Sequence, residues 1–245
     1  MNPSPYPTRF TSAHGRAVAV KILLVVGAVA TGMSLLVQAF SLAFPPLTEE
    51  QELGDNPISA AVILMKALLA VLVFMIYIAT VVCFLVWLYR AYDNLRAFNR
   101  SSRLNHSSGW AVGSFFIPIV NLFVPYRAVS EVWQKSVPPD GFLSKVPGFF
   151  PVWWLFWLLA SIAGNISTRV SFNEKVPEST ATIISVVADA LLVIAAVFAY
   201  LVVDEIDTKQ EETSGKLGLG NFAAPPPPPA NLSMSDVVAP IPGSE

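Results

Sequence analysis

Four stretches of the chain are long, apolar and nearly free of charge, and the polar residues gather in blocks between them. The first, Ile22 to Phe44, has 23 residues and no charge, about 34 Å as a helix against a hydrocarbon core of about 30 Å. Arg16 and Lys21 precede it, and Ser41 and Ala43 are the small residues that a cleaved leader would use. A leader has an apolar centre of only roughly 7–15 residues, so the run predicts a membrane span. The second run, Ile58 to Leu88, is broken once, by Lys66, and Ala67 to Leu88 is long enough to span alone. Lys66 is expected at the membrane edge, with its ammonium reaching outward. The third, Phe149 to Thr168, opens on Phe149, Phe150, Trp153, Trp154, Phe156 and Trp157, an aromatic cluster expected to mark a lipid–water boundary. The fourth, Ser179 to Val203, holds a single acid, Asp189.

These runs predict an all-α fold, a polytopic membrane bundle with spans at about 20–44, 60–88, 149–168 and 179–203. One further apolar segment does not fit a span. Trp110 to Tyr126 has 17 residues and carries Pro118, Asn121 and Pro125. Proline removes a backbone donor, lipid offers no substitute, and both flanks are basic. A re-entrant hairpin breaking near Pro118–Asn121 meets these constraints, with the Asn121 amide placed to bond freed backbone groups; a short fifth span is the alternative. After Pro125, Val129, Val132 and Trp133 share one helical face, with Arg127, Glu131, Gln134 and Lys135 on the other. That pattern predicts an interfacial helix, so 110–136 is expected to be a re-entrant or interfacial element.

Charge sets the expected orientation. The segment 45–56 carries Glu49, Glu50, Glu52 and Asp55 and no base, whereas 89–109 carries Arg90, Arg96, Arg100 and Arg103 against Asp93 alone. Positive residues favour the cytoplasmic side, which puts both termini in the cytoplasm. Arg96, Arg100 and Arg103 also form a ridge at i, i+4 and i+7 suited to anionic lipid headgroups, although topology alone calls for such charges.

Composition narrows the chemistry. The chain of 245 residues is 54% hydrophobic and 13% charged, about half the charge of a soluble domain. A lone cysteine, Cys83, forbids an intrachain disulfide, and His14 and His106 stand apart from any acidic or thiol cluster. No metal or cofactor is expected, nor a nucleic-acid partner. Hydrolase, zinc-protease and phosphate-loop signatures are missing, so an enzyme is not expected. The intramembrane polar residues are Gln38, Lys66, Asn165 and Asp189. Asp189 lies deep in its span and shares a face with small residues, which predicts that it faces other helices, with Asn165, Gln38 or Lys66 as partner.

The stretches Trp87 to Phe98 (WLYRAYDNLRAF) and Trp110 to Trp133 (WAVGSFFIPIVNLFVPYRAVSEVW) carry a recognisable motif. Its positions here are Trp87, Asn94, Trp110, Phe116, Pro118, Asn121, Pro125, Tyr126, Glu131 and Trp133. In these the chain resembles the bacterial membrane family catalogued as domain of unknown function 4328. The resemblance implies a four-span layout in a bacterial cytoplasmic membrane and no particular activity.

The expected organisation is a flexible segment 1–15, a membrane domain 16–206 and a tail 207–245, with the acidic residues after Val203 adding a helical turn or two. Pro225 to Pro229 are consecutive, a run that stays solvated as polyproline II, and truncation after Thr213 is expected to leave the fold intact. Two functions stay open. One is a membrane scaffold or accessory protein that engages anionic lipid and a cytoplasmic partner through the tail. The other is a small transporter or channel that works as a homo-oligomer around Asp189 and the hairpin.

Overall fold

The computed structural model describes residues 10–43, 57–98, 104–138, 145–173 and 175–219, apart from the side chains of 41, 57–63, 65 and 66. The acidic segment 45–56, Arg100, Arg103, the Lys66 side chain and the proline run lie outside the described residues.

Four helices are long and apolar enough to cross a membrane: α1 (His14–Ala43), α2 (Pro57–Phe98), α5 (Phe149–Ser171) and α6 (Glu178–Lys216). Between α2 and α5 lie α3 (Ser108–Gly113), two 3-10 turns (Ser114–Phe116 and Val120–Leu122) and α4 (Val124–Lys135). In the bundle α1 packs on α2, α6 packs on α1 and α5 packs on α6. The helices thus follow one another in the order α2, α1, α6, α5. The α2 and α5 flanks are bridged by the α3–α4 segment at the end where α1 starts and α2 stops, called here the capped end.

Two helices are longer than a membrane requires. The 42 residues of α2 and 39 of α6 reach about 63 and 58 Å, roughly twice a hydrocarbon core. At the capped end the extra length of both, after Leu88 in α2 and after Val203 in α6, builds a compact head. Trp87, Leu88, Ala91, Tyr92 and Leu95 of α2 are buried there with Val202, Val203 and Ile206 of α6, and with Val129 and Val132 of α4. Ala13, Ala17 and Val20 at the start of α1 complete this core. Within the membrane windows little is buried, from 0% of the residues in α2 to 28% in α6. Leu68, Leu72, Met75, Leu155, Ile162 and Val197 lie exposed, as lipid-facing residues do. Packing that holds the fold together is therefore concentrated in the head.

Trp110 to Tyr126 is not one continuous helix. Ser107 caps α3, its Oγ accepting from the Trp110 amide at 3.0 Å; two tight turns follow, and Pro125 opens α4, where a missing N–H costs nothing. Phe115 reaches in to meet Phe84 of α2 and Trp157 of α5, with ring centroids 6.0 and 6.2 Å apart. Phe116, Ile119 and Phe123 point outward and are exposed.

Four expectations change. The aromatic start of α5 is not a free boundary belt: Phe150, Trp153 and Trp154 are buried beneath the hairpin. Trp154 Nε1 donates to the Leu122 carbonyl at 3.1 Å, so an indole satisfies a backbone group freed by the turn, while Asn121 Oδ1 is buried without a protein partner among the described residues. The α4 helix does not lie on a surface, because Glu131, assigned to its polar face, is buried together with Val129 and Val132. Finally, the tail boundary at 206/207 falls inside α6, whose Asp207, Gln210, Thr213 and Ser214 are buried. The helix stops where Gly218 takes φ 65° and the Leu219 amide bonds back to the Ser214 carbonyl at 3.0 Å, a glycine stop in the left-handed region.

Candidate functional site

The polar groups of the head form two connected clusters. In the first, α2 presents Tyr92 and α4 presents Glu131 on facing sides. The Tyr92 hydroxyl donates to Glu131 Oε2 at 2.5 Å and accepts from the His106 amide at 3.0 Å. Glu131 Oε1 accepts from the Asn105 amide at 2.8 Å and from Lys135 Nζ at 2.6 Å. His106 Nδ1 stands 3.4 Å from Glu131 Oε2. Burial alone would push the Glu131 carboxyl upward, but the hydrogen bonds from Lys135, Tyr92 and the Asn105 amide outweigh it and hold the group below its ordinary value. A buried carboxylate with this many donors is a fixed anion that fastens α2, α4 and the 104–107 segment together.

The second cluster centres on Gln210 of α6. Its amide nitrogen donates to the Ala91 carbonyl at 2.8 Å and to Ser136 Oγ at 3.1 Å. Its oxygen accepts from Asn94 Nδ2 at 3.2 Å, and Asn94 Oδ1 accepts from the Thr11 amide at 3.2 Å. Thr213 Oγ1 donates to the Ser136 carbonyl at 3.0 Å. One glutamine thus joins the N-terminal segment, α2, α4 and α6. Beside it the acids of α6 meet the bases of α1: Lys21 Nζ lies 2.8 Å from Asp204, and His14 Nδ1 lies 2.9 Å from Asp207. Trp133 Nε1 donates to Glu205 at 3.2 Å, with Lys209 Nζ 5.1 Å from the Trp133 ring centroid.

The motif positions divide between these two environments. Trp87, Asn94, Pro125, Glu131 and Trp133 are buried in the head, with Tyr126 partly buried against it. Trp110, Phe116 and Pro118 are exposed on the hairpin. Arg96 is only 22% exposed at its side chain and lies 3.9 Å from Asp93 Oδ1, which also receives Ser108 Oγ at 3.3 Å. It is therefore engaged within the head and not extended toward a headgroup.

In the membrane layer Gln38 Nε2 donates to Asp189 Oδ2 at 2.9 Å and to Ser34 Oγ at 3.1 Å, and Ser185 Oγ donates to Gln38 Oε1 at 2.6 Å. Asp189 thus faces α1. Asn165 is exposed and bonds back to Ser161 of its own helix. His106, expected to stand apart from any acidic group, lies beside Glu131. Tyr92, Ser136, Gln210 and Thr213 were not singled out from the sequence; for Gln210 and Thr213 the signal was the continued helical spacing Val203, Ile206, Gln210, Thr213, in which the period persists while the residues turn polar.

No group of three or more metal-ligating side chains occurs among the described residues. The fold and the fixed polar head define an all-α membrane bundle of four long helices, with a hairpin between the second and third. The family described as a domain of unknown function (DUF4328) matches residues 51–208, and the chain belongs to it. No curated protein and no solved structure matches the chain.

Proposed function

We propose that this chain is a non-catalytic accessory protein of a bacterial inner membrane, holding a rigid head on the cytoplasmic face with both termini on that side. The observation that carries this reading is the separation of polarity. Most buried polar side chains of the head join helices, with Trp87 Nε1 and Ser130 Oγ left unbonded among the described residues, and the cavity of the bundle beneath it is walled mainly by apolar residues, a poor path for a solute or ion. The head surface, the residues near Arg100 and Arg103, and the proline-rich tail are the parts offered to a protein partner and to anionic lipid. Arg16, Lys21, Arg90, Arg127 and Lys135 at the capped end support a cytoplasmic head by the positive-inside rule.

One observation favours the transport alternative, the cluster of Asp189, Gln38, Ser34 and Ser185. Proton and monovalent-cation flux in proteoliposomes separates the two. The accessory reading expects flux at the level of empty vesicles from the unaltered chain and from Asp189→Asn. Asp189→Asn keeps an oxygen to accept from Gln38, so its stability should change by less than about 1 kcal/mol. Flux above empty vesicles that Asp189→Asn abolishes overturns the proposal. Orientation has its own check: reporter fusions after Asn56 and Asn173 should report the outside, and those after Asn105 and Lys145 the cytoplasm. An outside signal at Lys145 would mean that the hairpin crosses.

A further inference from the structure

Below the hairpin, inside the membrane layer, lies a cavity of about 130 Å³. Gly27 and Thr31 of α1, Tyr77 and Thr80 of α2, Trp157 of α5 and Ala196 of α6 form its walls. Phe84, Phe115 and Trp153 close it toward the head, with Phe84 lying 6.0 Å from each of the other two rings. The space exists because α2 and α5 stand on either side of it without packing along one another; the hairpin spreads them apart at the capped end. The Thr80 hydroxyl is turned back onto the Ile76 carbonyl at 2.7 Å, so it leaves its methyl side to the cavity wall.

We propose that this cleft takes the hydrocarbon chain of a membrane phospholipid, entering sideways between α2 and α5. Three considerations select this occupant. Water in a buried site needs two to four polar partners, and an apolar cavity of about this size stays dry and accepts an apolar guest. A void left empty forfeits the dispersion contacts of every residue lining it. The cavity lies at the depth of lipid-facing Leu72 and Met75 on α2 and Leu155 and Leu159 on α5, where the surrounding solvent is itself acyl chain. Its volume suits a segment of one chain, and the hydroxyls of Thr31, Tyr77 and Thr80 are too few to replace the water of a charged headgroup.

The test uses the full chain in bilayer nanodiscs containing phosphatidylethanolamine with a diazirine at mid-chain. After irradiation, labelled residues are mapped by mass spectrometry. Thr80 and Trp157 should be labelled several-fold more than the lipid-facing Leu155 and Leu159. Ala196→Phe, which fills the cleft from α6, should bring that ratio to one. Gly27→Leu fills it from the opposite wall, where a Cβ would meet Ile76 Cγ2 at an ordinary 3.5 Å. If neither variant folds, the ratio in the unaltered chain decides. Labelling of the cleft at or below that of Leu155 and Leu159, or a ratio unmoved by filling, overturns the proposal.

Discussion

Glu131→Ala is expected to destabilise the protein by about 3–5 kcal/mol, the loss typical of breaking a buried ion pair from one side. The substitution removes an acceptor shared by Tyr92, Lys135 and the Asn105 amide. It leaves a hydroxyl proton and a backbone N–H without their acceptor, and Lys135 without the carboxylate that balances its charge. Equilibrium unfolding in mixed micelles reads the loss. Glu131→Gln keeps one oxygen for Tyr92 and gives up the charge, so it should fall between the two. The double variant Glu131→Leu with Lys135→Met removes both charges and should recover part of the loss. Acid should mimic Glu131→Ala. The carboxyl is held below its ordinary value in the folded protein, so its contribution is complete above the unfolded value and is lost as pH falls through the folded one. In the Glu131→Gln background that part of the acid sensitivity should disappear. A Glu131→Ala protein within about 1 kcal/mol of the original would show that the cluster is not what fastens α4 to α2.

The same cluster shows what the sequence could and could not disclose. Spans were legible because lipid imposes a composition on them: Ala67 to Leu88 has no charge over a length that only a membrane explains. The hairpin was legible through Pro118 and Pro125, which rule out an uninterrupted helix at that point. Its internal bonding was not, because the partner that satisfies Leu122 is the indole of Trp154, 32 residues on, and nothing local marks it. Glu131 was misplaced for a related reason. A polar residue on an amphipathic pattern is read as solvent-facing, yet its neighbours Tyr92 and His106 come from elsewhere in the chain and close over it. Asp189 was legible by cost, an acid too deep to face lipid. Its bond to Gln38 follows from the packing of α1 on α6, which sequence spacing within either helix does not fix.

Ending the chain after Ile206, where hydropathy falls away, is expected to collapse the head, whereas ending it after Leu219 should leave stability unchanged. Residues 207–219 look like the start of a polar tail by composition, but they continue the buried face of α6. Gln210 bonds the Ala91 carbonyl, Ser136 Oγ and the Asn94 amide, and Thr213 bonds the Ser136 carbonyl. Removing them takes the acceptor from Asn94 Nδ2 and the donor from the Ser136 carbonyl, at about 1–3 kcal/mol each, while the Ala91 carbonyl keeps its bond within α2 and Ser136 Oγ its bond to Val132. Two such losses, added to the lost packing of Leu217 and Leu219 on the core, are a large share of the total stability of an ordinary domain, about 5–15 kcal/mol. Truncation after Thr213 lies between: it keeps Gln210 but deletes buried Ser214 and the stop at Gly218, so a smaller drop is expected where composition alone predicts none. Gln210→Leu separates lost bonds from lost helix, since leucine favours the helix and fills a similar volume while leaving Asn94 Nδ2 without its acceptor. It should reproduce much of the effect of the Ile206 truncation with helix content retained by circular dichroism. If the chain ending at Ile206 unfolds at the same denaturant concentration as the full chain, the extension of α6 is not part of the fold, and the stability must reside in the membrane layer.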